Sequence, residues 1–385
     1  MKFNRWVLLI FCIIPLLTSC QSNQKSSKLT SHVRTSVATN GDVPSTIEVP
    51  EVISEEHPEG DASAASELDA YLKEKDFQGA ILVANEEGVI FKKGYGMANL
   101  EKDIPFQPWT AFRIASISKG FTALAILQLQ EKGKLQVQDP VSKYLPEVKF
   151  GDKFTIHQLM THTSGLQRDL PYRIYRGPNE VVWEELESNL YFQLEPGDTF
   201  SYSNTGYVIL GQLIEKISGQ TYGDYLQEHI FEPLGMNRTF SESYDHITVD
   251  DQAEGYDRSE FPVPFEGSPP GPGGISSTVE DLYLWDQALY TNKLVNSETL
   301  EAIFTNYTHS GGERYGYGWI IDNSLMGIYS HSGYLPGFYS NLLRNTGKHQ
   351  TVIIFTNQGE KFANLYSNTK AGQLIDKMLS EEGLK

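Results

Sequence analysis

One stretch of the chain, from Ser116 to Gly133, restricts the possible folds more than any other. Its sequence is SISKGFTALAILQLQEKG, which places apolar residues on nearly every side of a helix. A helix that is apolar all round is buried, and glycine is typical just after a helix C-terminus. Other layers must therefore surround this helix. The 385 residues, 39% of them hydrophobic, suffice for two packed domains or one large domain with an insertion.

Strand patterns occur near both ends of the remaining chain, with helical patterns between them. Near the start, QGAILVAN and GVIFKKGYG flank a turn at 86–88, which predicts a β-hairpin. The late strand patterns are YGYGWII, GIYSHSG, FYSNLLRN and QTVIIFTN, and a closing helix is expected over 364–379. This arrangement predicts an α+β fold, an α/β sandwich in which helices flank one antiparallel sheet. An all-helical insertion at about 134–270 interrupts the sheet.

The first 19 residues have the pattern of a secretory signal peptide. Lys2 and Arg5 precede an apolar run of about a dozen residues, too short for a helix across a bilayer of about 30 Å. The run ends in LTSC, which resembles the lipobox of bacterial lipoproteins, in which Cys20 becomes the lipidated N-terminus. An ordinary signal peptide with an incidental cysteine is the alternative.

Residues 20–63 are rich in Ser, Thr, Gln, Glu and Pro and are expected to form a flexible linker. The catalytic domain is then expected over 64–385. Together these patterns predict an extracytoplasmic protein that a lipid anchor holds at the cell membrane.

Charge and cysteine content exclude several classes of function. The formal net charge is -18, which argues against nucleic-acid binding and leaves the lipid anchor as the expected contact with the membrane. The only cysteines are Cys12 and Cys20, so the domain has no thiol for a disulfide, a nucleophile or a metal site. His157 and His162 are five residues apart and would lie on different faces of a helix. No metal and no cofactor is expected.

The first candidate site is Ser116 with Lys119. Positions three apart share a face of a helix, so the lysine can reach the serine hydroxyl. A desolvated lysine has a lowered pKa and can remove the proton of a serine nucleophile. The same spacing recurs at Ser22 and Ser367, each three residues before a lysine. Only Ser116 begins an apolar helix, which favours it as the nucleophile.

The second candidate is Tyr202-Ser203-Asn204, in a loop just before the apolar segment TGYVILGQLIEKISG. A tyrosine beside a lysine can transfer protons, and the Asn204 amide can both donate to and accept from a substrate amide. The tripeptide recurs at 339–341, in a strand pattern, and at 366–368, in the closing helix pattern. Packing and surface polarity account for those two copies.

Taken in order, these motifs resemble the penicillin-binding-protein and class C β-lactamase family of serine hydrolases, over roughly residues 64–385. The flanking segments LMTHTSGL, PGDTFSYSNTGYVILGQLIEKISG, IFEPLGM and GPGGISSTVEDL are similar to that family too. The resemblance implies a β-lactamase/transpeptidase-like fold. It also implies that Ser116 forms an acyl-enzyme, Lys119 is the general base, and Tyr202 protonates the leaving group. No G-x-S-x-G elbow of an α/β-hydrolase is present.

The same resemblance assigns the substrate-binding residues. Asn204 would bind the substrate amide, and the backbone N–H groups of Ser116 and Tyr334 would form the oxyanion hole. His331-Ser332-Gly333 would be the third motif, on the edge strand beside the nucleophile. A second copy, His309-Ser310-Gly311, lies in a Gly-rich segment and is interpreted as a surface turn.

Histidine at the third motif affects the expected substrate. Many β-lactamases have a lysine there, a permanent cation for the substrate carboxylate. A histidine with an ordinary pKa of about 6.5 would be only partly charged near neutral pH, so His331 is expected to supply a weak, pH-dependent positive field. A third motif that begins with histidine resembles that of the D-Ala-D-Ala carboxypeptidases and esterases of this family more than that of its dedicated β-lactamases.

The leading expectation is a penicillin-binding D-alanyl-D-alanine carboxypeptidase acting on cell-wall peptides, with β-lactams as acylating ligands. A D-alanyl esterase acting on teichoic acid, or a general esterase, is the first alternative, and a β-lactamase is the next. A non-catalytic, penicillin-recognising, wall-binding lipoprotein is the alternative from another class, although such a protein needs no nucleophile with its base. A monomer is expected.

Overall fold

The structure is a computed structural model that describes residues 62–381, except 176–178, 198, 244–248, 266, 323–326, 363 and 368. The predicted signal peptide, Cys20 and nearly all of the predicted linker lie outside these described residues. No helix within the described ranges is long and apolar enough to cross a membrane.

The elements in the described part of the chain alternate between short strands and helices. The strands are β1 (Gly79–Asn85), β2 (Gly88–Tyr95), β3 (Met97–Asn99), β4 (Ile104–Pro105), β5 (Phe112–Arg113), β6 (Phe240–Ser241), β7 (Ile275–Ser277), β8 (Ile320–Ile321), β9 (Ile328–Leu335), β10 (Phe338–Asn345) and β11 (Gln350–Thr356). The helices are α1 (Ala62–Glu74), α2 (Ser118–Glu131), α3 (Ile156–Met160), α4 (Asn179–Ser188), α5 (Asn204–Ser218), α6 (Tyr222–Leu226), α7 (Glu232–Leu234), α8 (Val279–Ala288), α9 (Ser297–Ile303) and α10 (Lys370–Glu381).

The main sheet is built from the two ends of the described chain, in the order β2-β1-β11-β10-β9-β8. Each neighbouring pair is antiparallel, including the β1–β2 hairpin around the turn at 86–88. The predicted α+β class with one antiparallel sheet is therefore confirmed. Everything between β2 and β8 lies outside this sheet and contains most of the helices.

Helices cover both faces of the sheet. All seven residues of β1 are buried, because the strand is central and its side chains alternate between two cores. Ile81 and Val83 belong to the core shared with α1 and α10. Leu82 and Ala84 belong to the larger core shared with α2 and α8. Two helical layers around one sheet give the predicted sandwich.

Helix α2 lies inside the larger core, as its sequence predicts. Its residues from Ser118 to Leu129 are all buried. A side chain at Gly120 would bring a Cβ within 2.6 Å of the Trp285 ring, so glycine allows α8 to pack closely against α2. The chain leaves the helix after Glu131, and Gly133 has a φ of +67°, a left-handed conformation that suits glycine.

Local caps and backbone geometry set the ends of α3 and α10. The segment from Thr155 begins with a capping box but ends at Met160, and His162 then has a φ of +58°. The closing helix begins at Lys370 because the Thr369 hydroxyl accepts the backbone N–H of Gly372 and caps it. Ser367 therefore lies in a turn rather than on the closing helix, which corrects the sequence interpretation.

A small sheet with the order β5-β7-β6 was not predicted. Its strands have two or three residues each, too few for an alternating pattern to be recognised. This sheet fixes the segment that leads into α2, since Phe112 and Arg113 of β5 pair with Ser277 and Ser276 of β7.

Candidate active site

Ser116 lies in a tight turn that joins β5 to α2. Ala115 has a φ of +48°, a left-handed conformation that costs a non-glycine residue about 1–3 kcal/mol. Ser116 follows in a 3-10 turn, Ala115–Ile117, so it precedes α2 instead of beginning it, as the sequence had suggested. Its side chain is half-buried at the N-terminal end of the buried helix.

Lys119 is completely buried in the first turn of α2, and its Nζ lies 3.1 Å from Ser116 Oγ. The amine also donates a hydrogen bond to the Pro272 carbonyl oxygen at 2.7 Å. Burial holds the pKa of Lys119 well below its usual range, with opposing smaller effects from the charges of Asp169 and Arg168. The serine and the lysine are therefore in contact where a neutral amine is favoured.

Tyr202 completes a cluster of three side chains. The centroid of its ring lies 5.0 Å from Lys119 Nζ, which is itself in contact with Ser116 Oγ. The next residue, Ser203, caps α5 by accepting the Gly206 backbone N–H at 3.1 Å, which fixes the loop. Burial raises the pKa of Tyr202 to about 12, despite the opposing influence of Ser116. The phenol is thus protonated at neutral pH.

Asn204 is the first residue of α5, and its amide nitrogen donates to an Asp169 carboxylate oxygen at 2.7 Å. The backbone N–H of Asn204 donates to the Arg168 carbonyl oxygen, also at 2.7 Å. Sequence reasoning missed Arg168 and Asp169, although they follow the quoted segment LMTHTSGL closely. Their proximity to Tyr202 is a tertiary contact between a loop and the start of a helix. No local sequence pattern predicts such a contact.

His331 lies on β9 with both ring nitrogens bound within the protein. Nδ1 is 2.8 Å from the Ser332 carbonyl oxygen, which can only accept, so Nδ1 carries the proton. Nε2 then accepts from the Tyr315 hydroxyl at 3.0 Å. Burial, helped by the charge of Lys119, lowers the pKa of His331 to about 3.

The expectation of a partly charged His331 is therefore wrong. The ordinary pKa of about 6.5 applies to an exposed imidazole, and this one is 96% buried, since its relative exposure is 4%. At neutral pH it is an uncharged ring that fixes the Tyr315 hydroxyl.

The end of β9 lies beside the nucleophile turn. A Cβ at Gly333 would lie 2.1 Å from the Ile114 carbonyl oxygen and 3.0 Å from Ala115 Cβ, so only glycine allows this approach. The short strand β8 pairs with β9 only at Tyr329 and Ser330, which leaves the later residues of β9 without a partner strand on that side among the described residues.

Ser332 and Tyr334 point to the other face of the sheet. The Ser332 hydroxyl accepts the Asn341 side-chain amide at 2.9 Å. Tyr334 is exposed at the edge of the sheet.

The repeated motifs occupy different environments. His309 is exposed in a loop, as predicted, and its neighbour Ser310 pairs with Thr199. In the copy at 339–341, on β10, the Ser340 hydroxyl donates to the Ile114 carbonyl oxygen at 2.8 Å and so supports the nucleophile turn. Part of this second copy is thus structural support for the site.

The ring of His162 packs beside the aromatic residues of the site. The ring centroid lies 4.2 Å from that of Tyr202 and 4.7 Å from that of Tyr315. Nδ1 accepts the Ser203 backbone N–H at 3.0 Å. His162 therefore packs against Tyr202 and holds its loop in place. His157 is instead hydrogen-bonded to the Tyr317 hydroxyl. Among the described residues no group of three or more His, Cys, Asp or Glu could hold a metal ion.

Comparisons with known proteins agree with this geometry. Residues 64–375 match the family model described as Beta-lactamase. The Bacillus subtilis (strain 168) protein PbpX, which carries a penicillin-binding-protein name, is 34% identical over 314 residues, 80% of this chain and 76% of its own. Penicillin-binding protein 4* of the same organism is 31% identical over 312 residues, 74% of this chain and 69% of its own.

A solved structure is similar as well. The octameric penicillin-binding protein homologue from Pyrococcus abyssi has a TM-score of 0.71 and 31% identity, covering 82% of this chain and 78% of that chain. The chain therefore belongs to the beta-lactamase family, with the β-lactamase/transpeptidase-like fold. It is a serine hydrolase of the superfamily that contains the β-lactamases and the penicillin-binding proteins.

Proposed function

We propose that the protein is a penicillin-binding D-alanyl-D-alanine carboxypeptidase that works through an acyl-enzyme on Ser116. The observation that carries this proposal is the 3.1 Å contact between Ser116 Oγ and Lys119 Nζ inside a buried environment. A lysine kept neutral by burial can accept the serine proton at neutral pH, which an exposed lysine cannot do. A wall-binding protein without catalysis would have no use for this pair.

In the acylation step, Ser116 Oγ attacks the carbonyl carbon while Lys119 takes its proton. The protonated Tyr202 donates its proton to the leaving D-alanine nitrogen, and the backbone N–H groups of Ser116 and Tyr334 stabilise the oxyanion. Tyr202, now an anion, then helps to activate the water that releases the peptide acyl group by taking a proton from it, and Lys119 returns its proton to Ser116 Oγ. The position of the Tyr202 ring beside Lys119, which contacts Ser116, supports this order of proton transfer.

An esterase is the second candidate, acting on D-alanyl esters of teichoic acid or on other esters. The uncharged, internally bonded His331 favours it, because the third motif then offers no cation to a substrate carboxylate. A β-lactamase remains the third candidate, supported by the family itself.

The lipoprotein pattern before Cys20 supports an extracytoplasmic, lipid-anchored location. Labelling of cells with radioactive palmitate tests it: the full chain should incorporate label, and a Cys20→Ser chain should not. The expected monomer stays a prediction, and the Pyrococcus abyssi homologue is described as octameric.

Product analysis tests the proposed activity. The purified protein is incubated with a peptide ending in D-Ala-D-Ala, a matched D-alanyl ester and benzylpenicillin, and released D-alanine and hydrolysed penicillin are measured by mass spectrometry. We expect D-alanine from the peptide and a long-lived penicilloyl adduct. Release from the ester alone would replace the carboxypeptidase with the esterase, and rapid penicillin turnover would indicate a β-lactamase.

A further inference from the structure

Arg168 is a cation at the site with no part in the proposed chemistry. Its guanidinium carbon lies 5.1 Å from the centroid of the Tyr202 ring, and its side chain is 64% exposed. Its position is fixed from the backbone, because its carbonyl oxygen accepts the N–H groups of Asn204 and Thr205 at 2.7 and 3.1 Å. The backbone of Arg168 is thus hydrogen-bonded to the start of α5, which begins two residues after Tyr202.

The other basic groups of the site are not available to an anion. Lys119 is buried, and its amine is hydrogen-bonded to Ser116 and Pro272. His331 is buried too, with one nitrogen donating to Ser332 and the other accepting from Tyr315. Arg168 differs from both, since its side chain is exposed and its contact with Asp169 is an ion pair at 3.6 Å between two exposed side chains, without a hydrogen bond.

We propose that Arg168 is the specificity-determining residue that recognises a substrate carboxylate at the entrance of the site. This inference rests on the proposed function and names the part of the substrate that the third motif does not bind. A guanidinium on an aromatic ring keeps its N–H edge free, and that planar edge matches the two oxygens of a carboxylate. Arg168 therefore supplies the permanent cation that a histidine at position 331 lacks.

Asp169 limits this preference. Its carboxylate accepts the Asn204 amide at 2.7 Å and lies beside Arg168, so it repels an incoming carboxylate. Arg168 and Asp169, which we call the entrance pair, therefore oppose each other. Removing the arginine and removing the aspartate should change carboxylate selectivity in opposite directions.

The test uses two substrates that differ in one charge: N-acetyl-D-alanyl esters of glycolic acid and of glycolamide. In Arg168→Gln, kcat/KM for the glycolate ester should fall about tenfold more than for the glycolamide ester, mainly through KM. In Asp169→Asn the glycolate ester should gain. Lys348→Gln is the matched control, because it removes one positive charge in the exposed turn between β10 and β11, at the far end of the sheet.

Each outcome has a clear meaning. An unchanged ratio of the two kcat/KM values in Arg168→Gln would overturn the inference. If both values fall by the same factor, Arg168 stabilises the position of Tyr202 and does not select the substrate. If the wild type hydrolyses the glycolamide ester and not the glycolate ester, the inference is also wrong, but the proposed Ser116 chemistry is retained. A wild-type protein inert to both esters would overturn this inference, and the proposed function would then depend on the separate test of D-alanine release from the peptide.

Discussion

The two His-Ser-Gly segments of this chain have the same residues and opposite environments. His309 is exposed in a loop, whereas His331 is buried on β9 with both nitrogens bonded. Their glycines are also needed for different reasons. Gly311 has a φ of +93° and lies against the Phe200 carbonyl oxygen, whereas a side chain at Gly333 would strike the nucleophile turn.

The difference shows that a tripeptide acquires chemistry from its surroundings. Strand alternation turns His331 and Gly333 of β9 toward the same side, where the Ala115 turn and Tyr315 lie. The Gly-rich loop around His309 offers no such neighbours. Burial also reverses the simplest chemical expectation, since the histidine at the site is the one that stays uncharged.

The largest contrast is expected between the two glycines. Gly333→Ala should lower kcat/KM by about 10²-fold, because the new methyl group would push β9 away from the Ile114–Ala115 turn and misplace the nucleophile. Gly311→Ala is strained at its positive φ, and its Cβ would lie 2.8 Å from the Phe200 carbonyl oxygen, but it does not touch the nucleophile turn and should lose less kcat/KM than Gly333→Ala. Steady-state kinetics on one ester, with thermal melts to show that both variants fold, measure this. Equal losses in the two variants would contradict the assignment of β9 to the site.

A second contrast concerns how much each of the two histidines contributes to the stability of the protein. His331→Ala removes the acceptor of the buried Tyr315 hydroxyl and should lower the free energy of unfolding by about 2 kcal/mol. His309→Ala should change it by less than about 0.5 kcal/mol, as expected for an exposed residue. Urea denaturation of the two variants provides the comparison. If His309→Ala is the more damaging change, the wrong copy has been placed in the site.

A third contrast is the pH dependence of stability. The folded pKa of His331, about 3, lies below the ordinary value of about 6.5, so the unfolded chain binds the proton first as the pH falls. Between pH 7 and pH 5 this histidine should therefore cost about 2 kcal/mol of stability. His331→Gln should lose less than the wild type over that range, whereas His309→Gln should follow it. Among the described residues, the titratable groups that face His331 include Lys119, Tyr315, Tyr202 and His162. Parallel curves for His331→Gln and the wild type would mean that folding does not lower the pKa of His331.

Much of the fold could be predicted from local patterns. The apolar run after Ser116 predicts a buried helix because no side of it is polar, and the hairpin at 86–88 follows from two strand patterns around a short turn. The strands of β5, β6 and β7 could not be predicted, since they are too short to carry a period.

For the site, spacing predicts the contact of Ser116 with Lys119, which lies within one turn of chain. It cannot predict that His162, Arg168 and Asp169 surround Tyr202 and Asn204, because those contacts join segments about 35–40 residues apart. The neutrality of His331 was missed for a similar reason. A pKa depends on burial, and burial at this position is a property of the assembled sheet.

The most direct measurement of the central claim is the location of the acyl group. The protein is treated with benzylpenicillin or a fluorophosphonate, digested, and mapped by mass spectrometry, alongside Ser116→Ala and Ser367→Ala. The second variant is the matched control, because Ser367 also precedes a lysine by three residues but lies in a turn before α10. We predict one adduct on the peptide that contains Ser116, in the wild type and in Ser367→Ala, and none in Ser116→Ala. An adduct that persists in Ser116→Ala would contradict the account.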